Sequence, residues 1–196
     1  MPSPLSPCDH IRPVAASVTT PRMPPPPGPV PAPSSAASTP VTDGQRVYAI
    51  FANGAFGLPG AVEDLNRDAI RALFETNFFG WLELTNLLLP VMRRQGCGRI
   101  IQNSSVLGFV ALPYRGAYNC SKFALEGLTD TLRLELRGSG ISVSLIEPGP
   151  IESRFRANSH QRFLENIDRA ASAHARRYAA MEARLTKAGP AAPFTL

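Results

Sequence analysis

The sequence predicts an α/β fold: a parallel sheet with helices between its strands, preceded by a disordered proline-rich arm. Three observations predict it. Short, apolar, β-prone runs stand at 47–52 (VYAIFA), 99–103 (RIIQN) and 141–146 (ISVSLI). Longer stretches with helical patterning lie between them, and helices of that length between short apolar strands mean parallel pairing through right-handed crossovers. Proline crowds one end: 13 of the 20 prolines fall within the first 40 residues, which separates an arm from a body of ordinary composition.

The arm covers residues 1–45. Pro24 to Pro27, then Pro29, Pro31 and Pro33, favour extended polyproline II and cannot build a core. Disorder is the default reading. A proline-rich ligand for a partner and a transit sequence, suggested by Arg12 and Arg22 among Ser and Thr, stay open. The body, residues 46–190, opens on strand 47–52, which Asn53-Gly54 ends. Helices are expected at 63–75 and 77–95. The second is apolar on nearly every face, from Phe78 through Trp81, Leu84 and Leu88 to Met92, and needs cover on several sides. After strand 99–103 a long helix is expected over 116–137, closed by Gly138 and Gly140. Pro148-Gly149-Pro150 stops strand 141–146. Residues 154–188 read as helical, because Phe163, Ile167, Ala170, His174, Tyr178, Met181 and Leu185 recur at steps of three and four.

Composition excludes some classes. The net charge is +5, and its positive residues are spread out. Nothing resembles a nucleic-acid stripe or a stacking platform, so no nucleic-acid partner is expected. The longest apolar stretch, 78–92, is broken by Glu83, Thr85 and Asn86 and is too short for a bilayer. No membrane association and no signal peptide are expected. Cys8, Cys97 and Cys120 form neither a disulfide framework nor a CxxC metal site, so no metal is expected and a reducing, cytoplasmic setting is the simplest fit.

In open sheets of this kind ligands bind beyond the carboxyl ends of the strands. The residues that follow the three strands are Asn53-Gly54, Ser104-Ser105 and Pro148-Gly149. The topology therefore expects a site on one edge, built from these pairs.

Tyr118 and Lys122 are four apart on one helix and share a face. A free tyrosine titrates near pH 10 and exchanges protons poorly at neutrality. A nearby ammonium stabilises the phenolate and lowers that value, which suits a general acid/base. Ser105, at the end of the preceding strand, is placed to hold a substrate oxygen. Tyr-x-x-x-Lys by itself is a common coincidence; its neighbours change the reading.

FANGA (51–55), TNFFG (76–80), SSVLG (104–108), YNCSK (118–122) and EPGPIESR (147–154) occur in this order. Over about residues 46–160 the chain resembles the short-chain dehydrogenase/reductase family. The resemblance implies part of a doubly wound, Rossmann-like sheet and hydride transfer between NAD or NADP and a carbonyl/alcohol pair. It implies that Tyr118 is the acid/base, that Lys122 lowers the Tyr118 pKa and binds the nicotinamide ribose, and that Ser105 polarises the carbonyl. Asn77 would hold a water that links Lys122 to solvent. Asn53 and Gly54 would lie by the cofactor ribose, and Pro148, Gly149 and Ile151 would line the nicotinamide pocket, with Ser153 near a hydroxyl position after that turn. Rival readings stay open: Asn53 as a turn residue, Ser104 as structural, Asn77 as a helix cap, and His160 and His174 as helix-face residues. Helices 77–95 and 116–137 are expected to pair two copies in a homo-oligomer.

The sequence also departs from the family. Its glycine-rich turn, Thr-Gly-x-x-x-Gly-x-Gly, has no counterpart here; Gly54, Gly57 and Gly60 read as a loop. The resemblance therefore implies the second half of a sheet, with strand 47–52 at an open edge. An oxidoreductase and a non-catalytic truncated module that associates through its helices are both consistent with these residues. Phe155, Phe163 and Tyr178 hint at an apolar small molecule such as a steroid, retinoid or fatty aldehyde.

Overall fold

A computed structural model describes residues 46–151 and 153–186. The proline-rich arm, 1–45, lies outside the described residues. The body forms strands β1 (Ala49–Ala52), β2 (Gly98–Asn103) and β3 (Ile141–Ile146). Helices are α1 (Arg67–Phe74), α2 (Gly80–Gln95), α3 (Gly116–Glu135), α4 (Phe155–Asn166) and α5 (Ala175–Thr186).

The three strands pair in parallel in the order β1-β2-β3, with Ile50 beside Ile100 and Ile100 beside Val143. These three are buried and share a core with Leu88 and Met92 of α2 and with Leu136, which follows α3. Each such side chain contributes on the order of 2 kcal/mol when removed from water. Burial alternates along β2 and β3, so one sheet face carries the helices. The opposite face presents Phe51 and Ile146, each 44% exposed. Among the described residues β1 has one neighbour and forms an edge.

Several element boundaries differ from expectation. The stretch read as a helix over 63–75 is a single turn, Val62–Asp64, followed by α1. Asn66 separates them because its Oδ1 accepts the Ala69 N–H at 2.7 Å, an N-cap bond that starts a new helix. α1 then runs without a break through a wide π-helical turn, Glu75–Phe79, into α2. α2 is also less enclosed than its composition implied: Trp81, Thr85, Leu88 and Met92 are buried, but Leu87 is half exposed.

The stretch read as helical over 154–188 holds two helices, α4 and α5, within its described residues. Asp168 Oδ1 accepts the N–H groups of Ala170 and Ala171, and Ser172 Oγ accepts the His174 N–H. These local bonds compete with helical ones and turn the chain. The expected stripe survives in part. Phe163, Ile167, Tyr178, Met181 and Leu185 are buried together, whereas Ala170 is exposed and His174 precedes α5. Polar bonds fasten α5 to the loop after β1: the Tyr178 hydroxyl accepts the Ala61 N–H at 2.8 Å and donates to Asp64.

Cys97 is disulfide-bonded, and Cys120 is free. Among the described residues no helix is long and apolar enough to cross a membrane.

Candidate functional site

The carboxyl ends of the strands meet at one edge. Bonds tie their loops together: the Ser104 N–H donates to the Ile146 carbonyl at 2.8 Å, and the Val106 N–H to the Pro148 carbonyl at 3.1 Å. The Asn103 amide donates to Asn53, which is exposed at this edge. The Trp81 indole donates to the Gly54 carbonyl at 2.8 Å and anchors the β1 loop on α2.

Ser105 begins the one-turn helix Val106–Gly108. Its Oγ accepts the Leu107 N–H at 3.1 Å and faces the Pro148 carbonyl at 3.5 Å. The same hydroxyl is near enough to the Tyr118 phenol to lower its pKa. Tyr118 is 8% exposed, and the Phe155 ring meets it edge-on with 5.4 Å between centroids. Lys122 is 2% exposed; its Nζ donates to the Asn103 carbonyl at 2.7 Å and lies 5.6 Å from the Tyr118 ring centre. Ser105, Tyr118 and Lys122 are thus brought together.

The electrostatics differ from the expectation drawn from spacing. Burial pushes the Tyr118 phenol above its ordinary value, and the nearby Ser105 hydroxyl opposes that rise. Lys122 itself is lowered to about 8, because burial disfavours its charge more than the Glu126 carboxylate supports it. The ammonium faces the Tyr118 ring rather than forming a bond with its oxygen, so the expected downward pull on Tyr118 is not the dominant effect.

Asn77 is fully buried, and it does not cap a helix. It sits within the π-helical turn, where its Oδ1 accepts the Phe56 N–H at 3.0 Å and its Nδ2 donates to the Phe56 carbonyl at 3.0 Å. Nδ2 also approaches Ser121 Oγ at 3.2 Å. Asn77 therefore clamps the β1 loop onto α3.

Two residues between Tyr118 and Lys122 escaped the sequence reading. Asn119 Nδ2 donates to the carbonyls of Leu107 (3.0 Å) and Val110 (2.7 Å), fixing the Ser105 turn against α3. Ser121 is fully buried and donates to the Tyr118 carbonyl at 2.9 Å. The available signal was two polar residues inside the Tyr118–Lys122 motif of a helix that packs on a sheet.

Gly57 and Gly60 are packing positions. A Cβ at Gly57 would lie 2.6 Å from Ser159 Oγ and 3.1 Å from Phe155, and one at Gly60 would lie 2.8 Å from Ile167. Both serve α4 and the residue after it. By contrast, a Cβ at Gly149 would meet nothing within 4 Å, and Ile151 is 60% exposed, so the β3 loop is open beside Lys122's strand edge. His160 lies on α4 and approaches Glu182 of α5 at 3.4 Å; His174 bonds Glu63 at 2.5 Å.

The parallel sheet thus carries a buried tyrosine, lysine and serine at the carboxyl ends of its strands. The chain matches the model of the short chain dehydrogenase family over residues 34–163, and it belongs to that family. It is 51% identical over 115 residues to the uncharacterized oxidoreductase YbbO of Escherichia coli, covering 59% of this chain and 43% of that protein. It is 40% identical over 121 residues to human 17-beta-hydroxysteroid dehydrogenase type 1, covering 62% of this chain and 37% of that one. A solved short-chain dehydrogenase from Streptomyces avermitilis superposes with a TM-score of 0.54 at 36% identity, over 55% of this chain and 40% of its own. The chain thus spans well under half the length of these proteins.

Proposed function

We propose that this chain carries the acid/base half of an oxidoreductase that transfers hydride between NAD or NADP and a carbonyl/alcohol substrate. The observation that supports it is the convergence of Ser105, Tyr118 and Lys122, all buried, at the carboxyl edge of the sheet in a member of this family.

The residues present fit the nicotinamide end of such a cofactor. The loop at Pro148, Gly149 and Ile151 is open, Asn53 is exposed at the same sheet edge, and Lys122 has ammonium protons beyond the one given to Asn103. Among the described residues the pyrophosphate end has no matching turn, and Gly57 and Gly60 are occupied by packing against α4 and Ile167. When bound, the nicotinamide supplies or accepts the hydride. Ser105 holds the substrate oxygen through its hydroxyl. Tyr118, kept protonated by its burial, donates that proton to the oxygen as a carbonyl is reduced and takes it back in the reverse direction. Lys122 faces the phenol ring and restores charge balance. Asn77, beside Ser121, is the residue assigned to a water in a proton path from Lys122 to solvent.

The Phe155 ring against Tyr118 supports an apolar substrate, in keeping with a relative named for a hydroxysteroid. Nicotinamide fluorescence is followed as NADPH or NADH is added. Saturation below about millimolar, the upper range of ordinary enzyme affinities, is expected. No saturable change would remove the enzyme reading for this chain.

A second reading is a non-catalytic module that pairs with another copy. Exposed Leu87 on α2, with Phe123 and Leu134 on α3, favours association through the helices expected at 77–95 and 116–137. Sedimentation at several concentrations separates a dimer from a monomer, and cofactor binding separates the two readings.

A further inference from the structure

A carboxylate lies behind the Tyr118–Lys122 pair. Glu126 is one turn beyond Lys122 on α3, so the two share a face. Its Oε1 is buried and has no hydrogen-bond partner among the described residues, and the same holds for Ser104 Oγ. Buried oxygens without partners are uncommon enough to need a reason. Gly108 shows how the carboxylate gets there. A Cβ at Gly108 would lie 2.7 Å from Glu126 Oε1, 2.9 Å from its Cγ and 2.8 Å from Ser104 Oγ. Only a residue without a side chain lets Glu126 rest against the Val106–Gly108 turn, and Ser105 begins that turn. Glu126 therefore touches the turn that aims Ser105 and stands one helical turn from Lys122.

The other groups around Lys122 do not supply this charge. Tyr118 shares its helix and is neutral when protonated. Glu75 on the wide turn is exposed, as are Asp68 and Arg71 on α1. On the sheet, Arg99 sits near the opposite end of β2 and Glu147 is exposed after β3. The one bond of Lys122 to β2 goes to a neutral carbonyl.

We propose that Glu126 is a positioning residue for the Tyr118–Lys122 pair: its carboxylate, admitted against the Ser105 turn by Gly108, holds Lys122 as an ammonium between the Asn103 carbonyl and the Tyr118 ring. Its catalytic meaning rests on the acid/base reading above, but the charge of Lys122 is measurable without turnover.

The chain has two lysines, Lys122 and Lys187, so lysine-labelled protein gives two side-chain resonances, which Lys122→Met assigns. Their pH titrations are followed by NMR in the parent, Glu126→Gln and Gly108→Ala. The Lys122 midpoint is expected to move down by at least about half a pH unit in both variants, because each withdraws the carboxylate. Glu126→Asp should fall between. An unchanged midpoint in folded Glu126→Gln overturns the proposal; should Gly108→Ala fail to fold, the near-isosteric Glu126→Gln decides. A shifted midpoint in a protein without turnover upholds the role of Glu126 while removing the acid/base reading. An unchanged midpoint with turnover does the reverse.

Discussion

Lys122 donates to the backbone carbonyl of Asn103 at 2.7 Å from a position that is 2% exposed. Two short elements, the end of β2 and the second turn of α3, are joined by a cation that water barely reaches. Burial lowers it from 10.5 to about 8, with Glu126 opposing the fall.

That lowering makes stability depend on pH. Between about 8 and 10.5 the unfolded chain keeps a proton that the folded chain has released, so stability rises with pH across this window. The rise is on the order of 3 kcal/mol when complete, at about 1.4 kcal/mol per pH unit. Above pH 10 Tyr118 acts in the opposite sense: its folded value is raised, so its contribution is lost as pH climbs through that value. Urea midpoints measured from about pH 7 to about pH 9.5 should increase, and Lys122→Met should flatten the trend. A flat profile in the parent contradicts the burial of a charged Lys122.

Asn77 holds both backbone groups of Phe56. Asn77→Ala strands a donor and an acceptor inside the protein, which costs about 1–3 kcal/mol for each group left unpaired. A loss of about 3 kcal/mol in denaturant unfolding is expected. A loss under about 1 kcal/mol would mean that the clamp is absent in solution.

The strands were legible as short, apolar, β-prone runs, and Ile50, Ile100 and Val143 do face one core. The join between Tyr118, Lys122 and Ser105 was legible because parallel topology brings strand ends to one edge. The break between α4 and α5 was not. Ile167 and Tyr178 stay in one cluster across the turn, so apolar periodicity runs on through residues that are not helical. Asp168 and Ser172 carried the signal, as local side-chain bonds that periodicity does not register. Asn77 was open to a capping role because the continuous path from α1 through the wide turn leaves no mark in composition. The direction of the Tyr118 shift was missed for a different reason. Spacing places Lys122 on the same face, but only packing shows how much water both have lost.

Gly138 and Gly140 give a paired test of the turn before β3. Both have left-handed φ, +79° and +78°. A Cβ at Gly138 meets nothing within 4 Å, whereas one at Gly140 would lie 2.0 Å from the Gly96 carbonyl oxygen. Gly138→Ala should cost only the backbone strain, about 1–2 kcal/mol. Gly140→Ala should cost clearly more, since backbone must move at both Gly96 and Gly140. Equal losses in thermal unfolding would contradict this close approach.

The central claim is that Tyr118 exchanges the proton with the substrate oxygen. It is tested most directly by the rate of NADPH- or NADH-dependent carbonyl reduction in the parent and in Tyr118→Phe, which keeps the ring against Phe155 and removes the hydroxyl. Measurable turnover in the parent and a fall of at least about a hundredfold in the variant are expected of a general acid. Turnover retained by Tyr118→Phe would contradict the account.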